Sequence, residues 1–162
     1  MNQQIGTDEA EKIIREYADM IFRIALHNVK NAADAEDIFQ EVCIALITKN
    51  PPVENKEYLR RWLIRVTINK CNSFHRLFWQ KNTESIEEHT ELESPHQKEV
   101  MEELWQLPKN DRNIIYLYYY ESYTIAEIAE ILKKNPNTVS SVLQRARKKL
   151  RKILLEGGYN NA

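Results

Sequence analysis

Apolar residues recur along this chain at intervals of three and four, with polar runs between the periodic segments. That spacing predicts amphipathic helices. The first is expected to begin near Asp8, where Asp8 and Glu11 have capping-box spacing, and to carry Ile14, Tyr17, Ala18, Ile21 and Ala25 on its apolar face. A second follows Asn31, with Ile38, Val42, Ala45 and Leu46 inward, and Pro51-Pro52 ends it. Asn55 can cap a third, whose stripe is Tyr58, Leu59, Trp62, Leu63 and Val66 and which runs past Asn69 towards Arg76. Three helices of this length can close a small core.

The periodicity lapses over residues 80–94, a polar acidic stretch that reads as a linker. Helix signals then resume. Ser94 and Gln97 have capping-box spacing with Pro95 between them, and Val100, Met101, Leu104 and Trp105 form the apolar face up to Pro108. A short helix carries Ile114, Ile115, Leu117 and Tyr118. Thr124 and Glu127 open another, with Ile125, Ile128, Ala129 and Leu132. Asn135 can cap and Pro136 can start the last, whose inward stripe is Val139, Val142, Leu143, Ala146, Leu150 and Ile153 before Gly157-Gly158 stops it. The expected class is all-α in two parts, residues 1–79 and 95–158.

Composition agrees. In 162 residues only three Gly and five Pro interrupt the pattern, too few for a many-stranded sheet. Neither a secretory signal nor a membrane-length apolar run occurs, so a cytoplasmic protein is expected. Cys43 and Cys71 stand apart without metal or disulfide spacing and read as small apolar residues on buried helix faces. The net charge of −1 hides a strong segregation. Residues 1–48 hold four basic residues against nine acidic, and residues 56–81 hold seven basic against one acidic. Residues 83–95 hold five Glu and no base, whereas residues 138–155 hold six bases and no acid. Two basic segments set apart by acidic ones imply two contacts with a polyanion and an acidic face for another partner.

A capped helix at Ile125–Leu132, a turn of three residues and a basic helix from Pro136 make a helix-turn-helix. Ala129 allows the two helices to cross closely. With Val139, Leu143, Ala146 and Leu150 inward, a step of about 100° per residue puts Asn137, Ser141, Gln144 and Lys148 on the outer face. These groups suit base edges and phosphates. A solvated basic surface helix is the plain alternative.

YTIAEIAEILKKNPNTVSSVLQRARKKL, preceded by Leu107-Pro108, Arg112 and Ile114–Leu117, resembles region 4 of the extracytoplasmic-function sigma factors. DAEDIFQEVCIAL at 34–46 resembles their regions 2.1–2.2, and YLRRWLIRVTINKCNSFHR at 58–76 resembles regions 2.3 and 2.4. The likeness spans nearly the whole chain in the family's order. It implies a transcription initiation factor that binds core RNA polymerase and promoter DNA and is held by an anti-sigma factor. Asp37, Gln40 and Glu41 would then dock on the polymerase. Arg61, Trp62, Arg65, Asn69 and Arg76 would meet the minus-ten element, Trp62 serving as a core aromatic as well or instead. Asn137, Thr138, Ser140, Ser141, Gln144, Arg145 and Lys148 would meet the minus-thirty-five element, with Arg145 and Lys148 on phosphates. The chain departs from the family at Lys133, where Gly is usual, at Ser140 and Val142, where bases are common, and at Ser73, often Asp.

Two other classes compete. A dimeric regulator with a similar helix-turn-helix would leave the basic Arg60–Arg76 segment unexplained. A di-metal helical enzyme needs Glu-x-x-His pairs on facing helices, and the one here, Glu93 to His96, runs through Pro95. No nucleotide-binding loop or nucleophile elbow occurs, so neither catalysis, cofactor, metal nor small-molecule substrate is expected.

Overall fold

The computed structural model describes residues 5–81 and 103–156, apart from the side chains of 78–81. Every regular element among these residues is helical, and they fall into two compact units.

The N-terminal unit packs α1 (Thr7–Val29), α2 (Ala32–Lys49) and α3 (Lys56–Lys81) each against the other two. The expected Asp8–Glu11 box does not form. Gly6 is the N-cap, without a side-chain cap, and Asp8 lies in the first turn. Glu11 instead pairs with Arg15 at 2.7 Å. Helix entry is fixed by burial: Ile5 and Ala10, the positions that form a hydrophobic staple, are both enclosed. The Ile5 N–H also donates to Asn50 Oδ1 at 3.0 Å.

The α1 stripe is offset from the expected one. Ala10, Ile13, Met20, Ile21, Ile24 and Ala25 are buried, whereas Ile14, Tyr17 and Ala18 are half-buried. Adjacent isoleucines at 13 and 14 made both phases compatible with the pattern. From Ile24 to Val29 every residue is buried.

The inward stripe expected for α2 forms, but Cys43, expected on a buried face, is only half-buried. Asn31 accepts from the Asp34 N–H at 3.1 Å, and Ile38, Val42, Ala45 and Leu46 are buried, joined by Ala35. In α3, Asn55 accepts from the Tyr58 N–H at 3.0 Å as expected. The core set there is Leu59, Leu63, Ile64, Thr67, Ile68 and Cys71. Tyr58 is exposed, and Trp62 and Val66 are half-buried. The α3 helix also continues beyond Arg76 to Lys81.

The C-terminal unit packs α4 (Lys109–Tyr119), α5 (Ile125–Leu132) and α6 (Pro136–Glu156) pairwise. The expected helix start at Ser94–Gln97 lies outside the described residues, as do Val100, Met101 and Gly157-Gly158. Ahead of α4, Leu104 and Leu107 are buried. The buried Arg112 fastens this approach, its Nη1 donating to the Leu107 carbonyl at 2.6 Å and to that of Trp105 at 3.3 Å. Val139, Leu143 and Ala146 of α6 are buried, while Val142, Leu150 and Ile153 are half-buried. The enclosed part of the α6 stripe is thus shorter than expected, confined to the residues from Val139 to Ala146.

Candidate nucleic-acid interface

The helix-turn-helix is built by local chemistry. Thr124 Oγ1 accepts from the Glu127 N–H at 3.1 Å, and Glu127 Oε1 accepts from the Thr124 N–H at 3.0 Å, a complete capping box at the start of α5. At its end Lys133 takes the left-handed conformation, φ 54° and ψ 50°. The Lys134 N–H then reaches the Ala129 carbonyl at 2.8 Å and the Lys133 N–H that of Glu130 at 3.3 Å. This is a Schellman stop, and it turns the chain sharply towards α6. Asn135 Oδ1 accepts from the Asn137 N–H at 2.8 Å. Buried Ile128, Ala129, Val139 and Leu143 hold the two helices together.

On α6, Asn137, Thr138, Ser141, Gln144, Arg145 and Lys148 are exposed and Ser140 is half-buried. The two arginines near the middle of α6 are not equivalent. Arg145 Nη2 lies 3.7 Å from Oδ1 of the buried Asp111. Arg147 donates from Nε to the Tyr119 hydroxyl at 2.6 Å, with its guanidinium 5.2 Å from the Tyr118 ring centre and 5.5 Å from that of Tyr119. Neither pairing was visible in the sequence, since α4 and α6 are far apart along it. The run Tyr118-Tyr119-Tyr120 next to a basic helix was the available signal.

On α3, a step of about 100° per residue sets Tyr58, Trp62, Arg65, Asn69 and Arg76 within about 60° of one another, opposite the buried set. Asn69 and Arg76 are exposed, and Trp62 and Arg65 half-buried. Arg61 lies at the edge of this face, its Nε 3.0 Å from Glu57 Oε1. Arg76 donates to Ser73 Oγ, three residues back on the same helix, at 3.2 Å.

On α2, Asp37, Gln40 and Glu41 are exposed on the face opposite the core. Ile44 follows in the same line with 59% of its surface open, and Ile47 lies at its edge. Sequence reasoning passed over both isoleucines, although they fall outside the inward stripe. Glu41 Oε2 lies 3.4 Å from Lys70 Nζ, an exposed pair joining α2 to α3. At the head of α2, burial and then the Asp37 charge raise the Asp34 carboxyl above its ordinary pKa, with His75 pulling the other way. Among the described residues no cluster of His, Cys, Asp and Glu could hold a metal ion, and no helix is long and apolar enough to cross a membrane.

Residues 13–77 match the family Sigma-70 region 2, and residues 97–150 match Sigma-70, region 4. Over 145 residues the chain is 32% identical to the RNA polymerase sigma factor SigV of Bacillus subtilis, covering 85% of this chain and 86% of that protein. It is 27% identical over 161 residues to the ECF RNA polymerase sigma factor SigM of the same organism, covering 93% and 98%. The fold is shared with the sigma factor RpoE of Bartonella quintana, solved in complex with the anti-sigma factor NepR. The TM-score is 0.73 at 19% identity, over 89% of this chain and 95% of that one. It is shared also with CnrH in complex with the cytosolic domain of CnrY, with a TM-score of 0.67 at 19% identity, over 92% and 89%. The chain therefore belongs to the extracytoplasmic-function sigma factors of the sigma-70 family, non-enzymatic initiation factors that direct RNA polymerase to specific promoters.

Proposed function

We propose that the three outward faces divide the work of initiation. Residues 1–79 bind core polymerase and the minus-ten element, residues 80–94 act as a linker, and residues 95–158 bind the minus-thirty-five element. Asp37, Gln40 and Glu41 are the polymerase contact. Arg61, Trp62, Arg65, Asn69 and Arg76 meet the minus-ten strand, where a half-buried indole offers a wall for stacking an unpaired base and an amide can both donate and accept. Asn137, Thr138, Ser140, Ser141, Gln144, Arg145 and Lys148 face the minus-thirty-five duplex. The place of action is the cytoplasm, where the polymerase is, and an anti-sigma factor binds the protein, as the anti-sigma factor NepR binds its structural neighbour RpoE.

The observation that carries the reading is the composition of the α2 face. Its acidic groups stand clear of the core, and an exposed isoleucine continues their line. Such a face suits a basic helical partner with apolar positions. Reversing its charge with Asp37→Lys and Glu41→Lys is expected to abolish co-purification with core polymerase while helicity is kept. A doubly reversed protein that still assembles with core enzyme would refute the assignment.

A further inference from the structure

Asp111 lies in the first turn of α4 with 2% of its surface open. A carboxylate so enclosed is costly unless backbone N–H groups or a cation compensate it. Among the described residues its Oδ2 has no hydrogen-bond partner. Its Oδ1 faces Arg145 Nη2 at 3.7 Å. The aspartate side chain keeps 3% of its surface open and the arginine side chain 57%. Arg145 therefore links an enclosed anion to the outside of α6. A guanidinium presents its N–H groups along several edges of one plane, so one edge can serve the carboxylate while another meets a second anion. About 60° around the helix from Arg145 lies Lys148, on the outer face.

We infer that Asp111 is a positioning residue for DNA binding. It holds Arg145 at the rim of the α6 outer face, so that the free edge of the guanidinium meets a backbone phosphate beside the minus-thirty-five bases. The inference rests on the assignment of that face to the minus-thirty-five duplex. Two effects of Asp111 oppose each other. Its negative charge repels a phosphate, so by electrostatics alone its loss would tighten binding. Its hold on Arg145 removes in advance the side-chain freedom that a loose arginine gives up on binding. The intervening guanidinium shields the repulsion, and the positioning effect prevails.

The test uses holoenzyme assembled from the full chain and core polymerase, binding a duplex promoter across a range of salt. Asp111→Asn, nearly identical in shape, is expected to weaken binding about three- to tenfold. It should also flatten the salt dependence by up to about one unit, as one phosphate contact is lost. Base preference stays unchanged. Arg145→Ala should weaken binding in the same manner, and Asp111→Asn should add nothing in that background. Arg145→Lys should not restore wild-type affinity, because an ammonium lacks the second edge. Unchanged or tighter binding by Asp111→Asn, beside a weakened Arg145→Ala, overturns the positioning role and leaves the Arg145 phosphate contact standing. Equal losses from Asp111→Asn in both backgrounds are the mark of a damaged fold and also overturn it. An Arg145→Ala holoenzyme that binds like wild type removes the phosphate contact itself.

Discussion

The two basic helices, α3 and α6, carry similar charge and are built in opposite ways. In α3 the outward face is a ledge, with Trp62 and Arg65 half-buried and Asn69 and Arg76 exposed. Its cations are partly engaged at home, Arg61 with Glu57, Lys70 with Glu41 and Arg76 with Ser73. In α6 Asn137, Thr138, Ser141, Gln144 and Lys148 are exposed, and Arg145, exposed too, leans on Asp111. An unpaired base needs a wall to stack on and a short polar group to read its edge. A duplex needs a convex helix that enters the groove with nothing beside it. Burial of the aromatic, more than the number of charges, separates the two designs.

The largest effect expected from this difference is on strand opening. Asn69→Ala should leave closed-complex formation nearly intact and remove most of the permanganate reactivity of minus-ten thymines. Equal reactivity at saturating mutant and wild-type holoenzyme would take Asn69 out of the minus-ten contact and leave α3 as a plain basic helix. A narrower effect is expected on the other helix. Gln144 can form paired hydrogen bonds with an adenine edge, so Gln144→Ala should alter preference by about 1–3 kcal/mol at one base position. Transcription from a randomised minus-thirty-five library reads this. Preferences identical to wild type at every position would make Gln144 a bystander. A melting defect in Gln144→Ala like that of Asn69→Ala would erase the distinction between the helices.

Local signals in the sequence were read well, and long-range ones were not. Thr124 with Glu127, Asn55 and Asn135 cap as expected, because a cap depends on residues two or three apart. The Asp8–Glu11 spacing misled, since burial of Ile5 starts α1 earlier and leaves Asp8 inside the first turn. In α1 and α3 the apolar phase was ambiguous, with Ile13-Ile14, Trp62-Leu63 and Leu63-Ile64 adjacent, and only the packing of the third helix decides it. The outward position of Trp62 follows from that choice. The Arg145–Asp111 and Arg147–Tyr119 contacts join residues 34 and 28 positions apart, beyond the reach of any local pattern. A basic run in sequence gave six equivalent bases, whereas the fold distinguishes tethered arginines from free-standing groups such as Lys148 and Lys149.

The smallest effect concerns the helix stops, where the two units again differ. Lys133 ends α5 and Asn50 ends α2, both left-handed, at φ 54° and φ 48°. A side chain with a Cβ costs about 1–2 kcal/mol in that conformation, and glycine escapes the cost. Glycine also widens the unfolded ensemble, which takes back about 0.4–1 kcal/mol. At Lys133 the side chain is exposed and fastens nothing among the described residues, so Lys133→Gly should stabilise α5 and α6 by about 0.5–1 kcal/mol. At Asn50 the balance reverses. Asparagine tolerates the left-handed region better than lysine, and Asn50 Oδ1 holds the Ile5 N–H at 3.0 Å. Removing that hydrogen bond costs about 0.5–1.5 kcal/mol, so Asn50→Gly should destabilise the start of α1. Native-state hydrogen exchange on the full chain separates the two. Amides of α5 and α6 should gain about two- to fivefold protection in Lys133→Gly, and those at the start of α1 should lose protection in Asn50→Gly. Changes of the same sign in both variants would show that the Asn50 side chain contributes nothing beyond its backbone angle.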